Sequence, residues 1–264
     1  MTIVVAYKYA PNPQDAEVRG DGTVDWSRAK SAVSEYDPVA VQLGRELAGD
    51  AEVVGISVGG ADVASSMAKK NAMSRGLDRG LVVADDAAAD WNATRTASAL
   101  AALVKKVDGA DLLLAGDSSV DEGAKMMSAL VAGYLGWPCF QEVSALEKTD
   151  NGYRVTQDQP GGRRVVEVTG PLVVAVAADA VKPKVPGMKD ILAAGKKTVE
   201  VVPVADLEVS DAAIAITASE KPAAPARKQQ ILSGDDAPPS WSPPCAPTRC
   251  CEPNRSCEKR SLRQ

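Results

Sequence analysis

The sequence predicts an α/β fold, an open and mostly parallel sheet with helices on both faces, from three observations. Short apolar runs alternate with longer segments of helical period from residue 1 to about 200. The runs are rich in Val, Ile and Leu and end at Gly, Asp or Asn, as strands buried on both faces do. The stretch Asp111-Leu-Leu-Leu-Ala-Gly-Asp-Ser-Ser-Val-Asp-Glu-Gly-Ala-Lys125 joins a strand to a helix through a turn of small polar residues. Repeats of such a unit build a parallel sheet between two helical layers.

The elements follow in chain order. Ile3–Tyr7 is the first strand. Residues Pro11 to Lys30 are polar, with Gly20-Asp21-Gly22 as a turn signal, and read as an excursion or hairpin. Asp37-Pro38 opens a helix, with Asp at the N-cap, Pro in the first turn, and Val39, Leu43 and Leu47 apolar. Glu52–Val58 is the second strand. Asp62 to Ser74 is the second helix, ended near Gly76, and Arg79–Val83 is a short third strand. Asn92 to Val107 is helical, with Ala99, Leu100, Leu103 and Val107 on one face. Leu112–Ala115 is the fourth strand, and the fourth helix is expected from about Glu122 to Leu135.

The pattern changes after Trp137-Pro138. Runs at Glu142–Leu146, Tyr153–Gln157, Arg163–Thr169 and Leu172–Ala177 are strand-like. Asp150-Asn151-Gly152 and Pro160-Gly161-Gly162 are hairpin turns between them, which predicts an antiparallel extension of the sheet. A basic segment then carries Lys182, Lys184, Lys189, Lys196 and Lys197. The expected organisation is an α/β domain over 1–204, an Ala/Pro-rich extended arm over 205–236, and a tail over 237–264. Four of the five cysteines, Cys245, Cys250, Cys251 and Cys257, fall in that tail. Their spacing fits no common zinc pattern. A stretch not selected as protein, as after a shifted reading frame, is preferred to a metal or disulfide knot, and disorder is expected there.

Composition removes several function classes. Hydrophobic content of 45% with 25% charged residues describes a soluble globular chain. No apolar run approaches the roughly 18 residues of a membrane helix. The start, Met-Thr-Ile-Val-Val-Ala, is a strand rather than a signal peptide, so a cytoplasmic location is expected, without membrane insertion. A net charge of -5 argues against a nucleic-acid partner. The chain has no histidine, and only Cys139 precedes residue 245. Metal centres built on Cys and His, and nucleophilic pairs with His, are therefore excluded from the main domain, and any chemistry falls to a bound cofactor.

The turn after the fourth strand is the strongest functional signal. A strand running through Gly116 into a helix places backbone N–H groups and a positive helix end at the C-terminal edge of the sheet. Open α/β folds hold nucleotide phosphates there, and Gly116 and Gly123 allow close backbone approach. An ordinary βα loop is the competing reading. Asp121 and Glu122 are read as a helix cap and start rather than an acid/base pair. Ser57-Val-Gly-Gly-Ala-Asp62 faintly resembles the pyrophosphatase loop of ATP-splitting amide-forming enzymes. It carries an extra residue and follows the second strand, so it is read as a tight turn and helix cap. Met188, Ile191 and Leu192 read as ordinary packing, or as docking anchors if they protrude.

Taken in order, these segments resemble the beta subunit of electron-transfer flavoproteins, in its FixA-like branch. The residues that carry the resemblance are Tyr7-Lys8, Ser34-Glu-Tyr-Asp-Pro38, Ser57-Val-Gly-Gly60, Ser74-Arg-Gly-Leu-Asp78, Gly116-Asp-Ser-Ser-Val-Asp121 and Pro186-Gly-Met-Lys-Asp-Ile-Leu-Ala-Ala-Gly-Lys-Lys197. The match runs from residue 1 to about 236. It implies a Rossmann-like fold of the adenine-nucleotide alpha-hydrolase-like type. It also implies a heterodimer with an alpha subunit, an FAD shared with that subunit, and AMP or a second, bifurcating FAD in this chain. The implied redox partners are dehydrogenases, a flavoprotein quinone oxidoreductase and a ferredoxin-like protein. The chain is then an electron-carrier subunit, without a catalytic acid or base of its own.

The resemblance carries the nucleotide contacts to Ala6 after strand one, to Ser34, Tyr36 and Asp37 at the first helix, and to Val58 after strand two. It carries the phosphate side to Gly116, Asp117, Ser118, Ser119, Val120 and Asp121, and on through Glu122, Gly123, Ala124, Lys125, Met126 and Met127. Partner docking falls on Val185, Met188, Lys189, Ile191 and Leu192. The turn departs from the housekeeping pattern Gly-Lys-Gln-Ala-Ile-Asp-Asp-Asp, losing a lysine and gaining Asp117. Two other readings make different demands. A universal-stress-type nucleotide module predicts a Gly-rich phosphate signature ending in Gly-Ser, which is absent. An ATP-cleaving ligase or hydrolase predicts a pyrophosphatase loop after strand one, where Tyr7-Lys8-Tyr9 stands.

Overall fold

The computed structural model describes residues 2–210 together with residues 217 and 223. The expected disordered tail, and most of the expected arm, lie outside the described residues. In chain order the elements are β1 (Thr2–Ala6), β2 (Tyr9–Pro11), β3 (Glu17–Val18), β4 (Val24–Asp25), β5 (Ser31–Val33), α1 (Asp37–Ala48), β6 (Val53–Gly59) and α2 (Ser66–Met73). Then come β7 (Arg79–Ala84), α3 (Ala93–Lys105), β8 (Ala110–Gly116), α4 (Met127–Leu135), β9 (Cys139–Thr149) and β10 (Gly152–Gln159). The series ends with β11 (Gly162–Val168), β12 (Leu172–Val176), α5 (Met188–Ala194) and β13 (Val199–Val201).

Nine strands form one sheet in the order β11-β10-β9-β12-β8-β1-β6-β7-β13. From β9 to β13 every neighbouring pair is parallel. Only the β9–β10 and β10–β11 pairs are antiparallel. The pleat sorts the core into two layers. Ile3, Val5, Leu112 and Leu114 meet α1 and α2 on one face. Val4, Ala6, Leu113 and Ala115 meet α3 and α4 on the other. Both faces are covered, so the central strands read as unbroken apolar runs rather than alternating ones. The expected α/β class with helices on both faces is what the chain adopts. The polar excursion after β1 folds as two small ribbons, β2 with β5 and β3 with β4.

Four local expectations are corrected. The fourth helix starts at Met127, not near Glu122. Gly123 at φ 61 and Lys125 at φ 50 leave the helical path, and the acids before them turn outward to a lysine. The run Leu172–Ala177 is not part of the antiparallel extension, because β12 lies in parallel between β8 and β9. All five of its residues are buried, which suits a central strand. The second helix divides into a 3-10 turn at Ala61–Ala64 and α2, capped by Ser65, whose Oγ accepts the Ala68 N–H at 3.1 Å. Asp37 is the first residue of α1 rather than its N-cap, which is Tyr36. Three strands lie outside the expected ones: β2, β5 and β13 each have three residues and pair on one side only, so they leave little periodic signal.

Among the described residues no helix is long and apolar enough to cross a membrane.

Candidate functional site

The sheet order reverses between β1 and β8, with β6 and β7 on one side and β12 on the other. Such a reversal leaves a crevice at the C-terminal strand ends. The N-terminus of α1 descends onto it. The buried Asp37 carboxylate accepts the Lys8 backbone N–H at 2.7 Å and the backbone N–H of Gly116. Gly116 is required for this approach: a Cβ there would lie 2.7 Å from Tyr36 Cβ and 2.8 Å from Asp37 Oδ1. Its missing side chain thus makes room for the protein's own helix. Burial destabilises the Asp37 carboxylate more than its two amide bonds and the Lys8 and Arg75 charges stabilise it, so its pKa is pushed up to about 7.

The following turn is pinned by two lysines. Asp117 is buried and points inward. Its Oδ1 accepts the Glu142 N–H at 3.1 Å, and its Oδ2 pairs with Lys125 Nζ at 2.8 Å. Lys125 also reaches Glu142 at 2.9 Å. Gly123 N–H returns to the Ser119 carbonyl at 3.0 Å, closing the turn around Ser118 and Val120. Asp121 and Glu122 pair with Lys8 Nζ at 2.5 Å and 3.3 Å. They are counter-ions of a distant lysine, neither an acid/base pair nor the cap and start of a helix. Ala124 and Met126 are exposed and lead into α4, whose first turn receives no side-chain cap.

The expected nucleotide contacts divide between the two layers. Ala6 belongs to the α3–α4 layer, and Val58 and Met127 pack against it. Ser34 lies on the opposite side, at a cavity of about 230 Å³ between the β2–β5 ribbon and the start of α1. Lys8, Val33, Arg75, Val120 and Asp121 also line it. Ser34 Oγ and Arg75 Nε are buried without a hydrogen-bond partner. Unpaired buried donors are uncommon, and an oxygen-rich ligand satisfies them. By that test the residues present fit an oxygen-rich part of a nucleotide, with the Glu35 carboxylate also lining the cavity. In the sequence Arg75 stands only within the Ser74-Arg-Gly-Leu-Asp78 run that carries the family resemblance. Its one sequence signal is its place directly before the helix-ending Gly76, where a surface residue is the simpler reading. A larger cavity of about 450 Å³ lies away from the strand ends, between Ser98, Lys105, Tyr134 and residues 206–210.

The segment expected to dock a partner is distinct from the strand ends. Val185, Met188 and Leu192 are 86%, 73% and 67% exposed, and Ile191 and Lys189 are exposed too. The ordinary-packing reading of Met188, Ile191 and Leu192 is therefore wrong; they protrude. Only Ala194 of α5 is buried, in the layer that includes α2. Lys197 is no surface charge: its Nζ donates to the Met73 carbonyl at 3.1 Å and to the Leu77 carbonyl. Ser57 is buried in β6 and its Oγ donates to the Tyr7 carbonyl at 2.7 Å, just past β1; the chain then turns at Gly60 into the 3-10 turn Ala61–Ala64. Cys139 is half-buried against the α3–α4 layer. The Arg95 guanidinium stacks over Trp91 at 4.5 Å, and Trp26 is 41% exposed.

The family model for the electron transfer flavoprotein domain matches residues 21–207 of the 264.

Proposed function

We propose, for a chain that belongs to the electron transfer flavoprotein family, the role of a FixA-like beta subunit that binds an adenine nucleotide at the β1–β8 crevice. The nucleotide is AMP or the adenine half of a second FAD. Together with an alpha subunit the chain completes a shared FAD site, and the bound flavin supplies the electron transfer. The residues of this chain bind, orient and exclude water. Ala6, Val58 and Met127 offer an apolar wall on one side of the crevice, and Ser34 offers a donor on the other. Asp37 fixes α1 to the ends of β1 and β8, so the crevice keeps its shape without a ligand.

The observation that carries this reading is the pair of unpartnered buried donors, Ser34 Oγ and Arg75 Nε, beside the strand ends. Val185, Met188, Lys189, Ile191 and Leu192 form the surface for a redox partner, a dehydrogenase, quinone oxidoreductase or ferredoxin-like protein. Apolar anchors ringed by lysines suit an acidic rim around an apolar pocket. The expected location is the cytoplasm.

The test is coexpression with the candidate alpha subunit, purification, and chromatography of the released nucleotides. Two FAD per heterodimer would place a flavin in this chain. One FAD with one AMP would make the pair a single-flavin shuttle. A stable heterodimer holding no adenine nucleotide besides the shared FAD would overturn the nucleotide reading.

A further inference from the structure

We propose that Gln141 and Glu142 of β9 are positioning residues for nucleotide binding: they fasten the α4 half of the 116–127 turn in the shape that receives the ligand. This rests on the nucleotide reading above. It adds to the site two residues of the strand that joins the parallel sheet to its antiparallel extension, where the family resemblance places no contact.

Three observations carry it. The first is the backbone. Among the described residues, Lys125 and Glu142 are the only non-glycine positions with a left-handed backbone, at φ 50 and φ 53. A residue with a Cβ keeps such a conformation where its surroundings hold it there. Here the two hold each other. Lys125 Nζ pairs with the Glu142 carboxylate at 2.9 Å. The buried Asp117 takes both, accepting the Glu142 N–H at 3.1 Å and pairing with Lys125 at 2.8 Å.

The second observation is an uncharged fastener beside that clasp. Gln141 Nε2 donates to the Lys125 carbonyl at 2.6 Å and to Ser128 Oγ, in the first turn of α4, at 3.4 Å. The end of the turn and the start of the helix are thus tied to β9. Gln157 of β10 donates in its turn to the Gln141 carbonyl at 2.6 Å. Its own Oε1 is buried without a partner, so this amide makes its one bond to β9 and leaves an acceptor unsatisfied. Buried side chains rarely accept that arrangement without a reason.

The third observation is where β9 loses its regularity. Against β12 its register shifts between Phe140 and Val143, and against β10 between Val143 and Ala145. Irregularities of this kind re-aim side chains beside functional sites. This one carries Gln141 and Glu142 to the turn while Val143 stays buried in the core. The other half of the turn is held from the far side of the crevice, where Lys8 pairs with Asp121 and Glu122. With both halves fastened, the backbone N–H groups of the turn keep their places before a ligand arrives, which lowers the ordering cost of binding.

The experiment is titration calorimetry of the full chain, stripped of copurified nucleotide, with AMP and with FAD; the tighter of the two is the probe. Gln141→Ala and Glu142→Gln should each weaken its binding about fivefold, and the double variant more than about tenfold. Urea midpoints should stay at the parent's value, because neither side chain is buried. The two variants differ in charge. Gln141→Ala changes none. Glu142→Gln removes a negative charge near an anionic ligand, which by itself would tighten binding, so a loss in both variants reports on position. In the double variant the Gly123 amide, which closes the turn onto Ser119, should exchange faster while the β8 amides keep their protection. Unchanged affinity in both variants, or tighter binding by Glu142→Gln, overturns the positioning role and leaves the nucleotide reading standing. So does an affinity loss matched by an equal loss of stability. A parent that takes up neither AMP nor FAD, alone or in the heterodimer beyond its shared FAD, overturns the nucleotide reading itself.

Discussion

Asp37 lies where α1, β1 and β8 meet, and its burial governs its chemistry. Its ordinary pKa is 3.8 and its value in the folded chain is about 7. Between those values the folded state holds a proton that the unfolded state has lost, so this group's contribution to stability falls as pH rises from about 4 to 7. Asp37→Asn keeps an acceptor for the Lys8 N–H and removes the buried charge. It should match the parent near pH 4 and exceed it at pH 8 by about 4 kcal/mol in urea unfolding. Stability curves that stay parallel across that range would refute the assignment. Gly116 acts beside it through space rather than charge. Gly116→Ala brings a methyl against Tyr36 and Asp37 and should lower unfolding free energy by about 1–3 kcal/mol. Both residues stood out in the sequence, but their roles did not. An aspartate before a proline reads as a cap, and a glycine after a strand reads as ligand access. Only the approach of α1 shows that each serves the other.

At the scale of elements, α2 links the two proposed functional regions. Arg75, just past its end, lines the cavity, and the Met73 and Leu77 carbonyls near that end receive Lys197, just past α5. Lys197→Met removes the ammonium from these carbonyls. Faster amide exchange in α5 than in α3 should follow, while the β1 and β8 amides keep their protection. Leu192→Ala and Met188→Ala should lower redox-partner affinity at least tenfold, yet change chain stability by less than about 0.5 kcal/mol, since both side chains face solvent. Equal affinity in a binding assay would remove α5 from the docking surface. The same elements show what pattern reading can reach. β1, β6, β7 and β8 were legible because strands covered on both faces are continuous apolar runs. The position of β12 was not, because chain order does not state sheet order. The start of α4 was misread because Asp121 and Glu122 imitate a first helical turn. Their partner Lys8 is 113 and 114 residues away along the chain.

Over the whole molecule, the two apolar layers share one sheet, and ligand binding at its edge should be felt by both. The central strands β1 and β8 contribute to each layer and also end at the crevice. A nucleotide that binds only the folded chain adds RT ln(1 + [L]/Kd) to its stability, about 2.7 kcal/mol at a hundredfold excess over Kd. For a domain of this size that corresponds to a rise in Tm of roughly 5–10 °C. AMP should produce this shift in the full chain without any partner, because the residues proposed to hold it all come from this chain. A shift seen only after the alpha subunit is added would mean that the site is completed across the interface. The crevice would then be half of a site, and the unpartnered donors would be waiting for the other subunit rather than for a nucleotide.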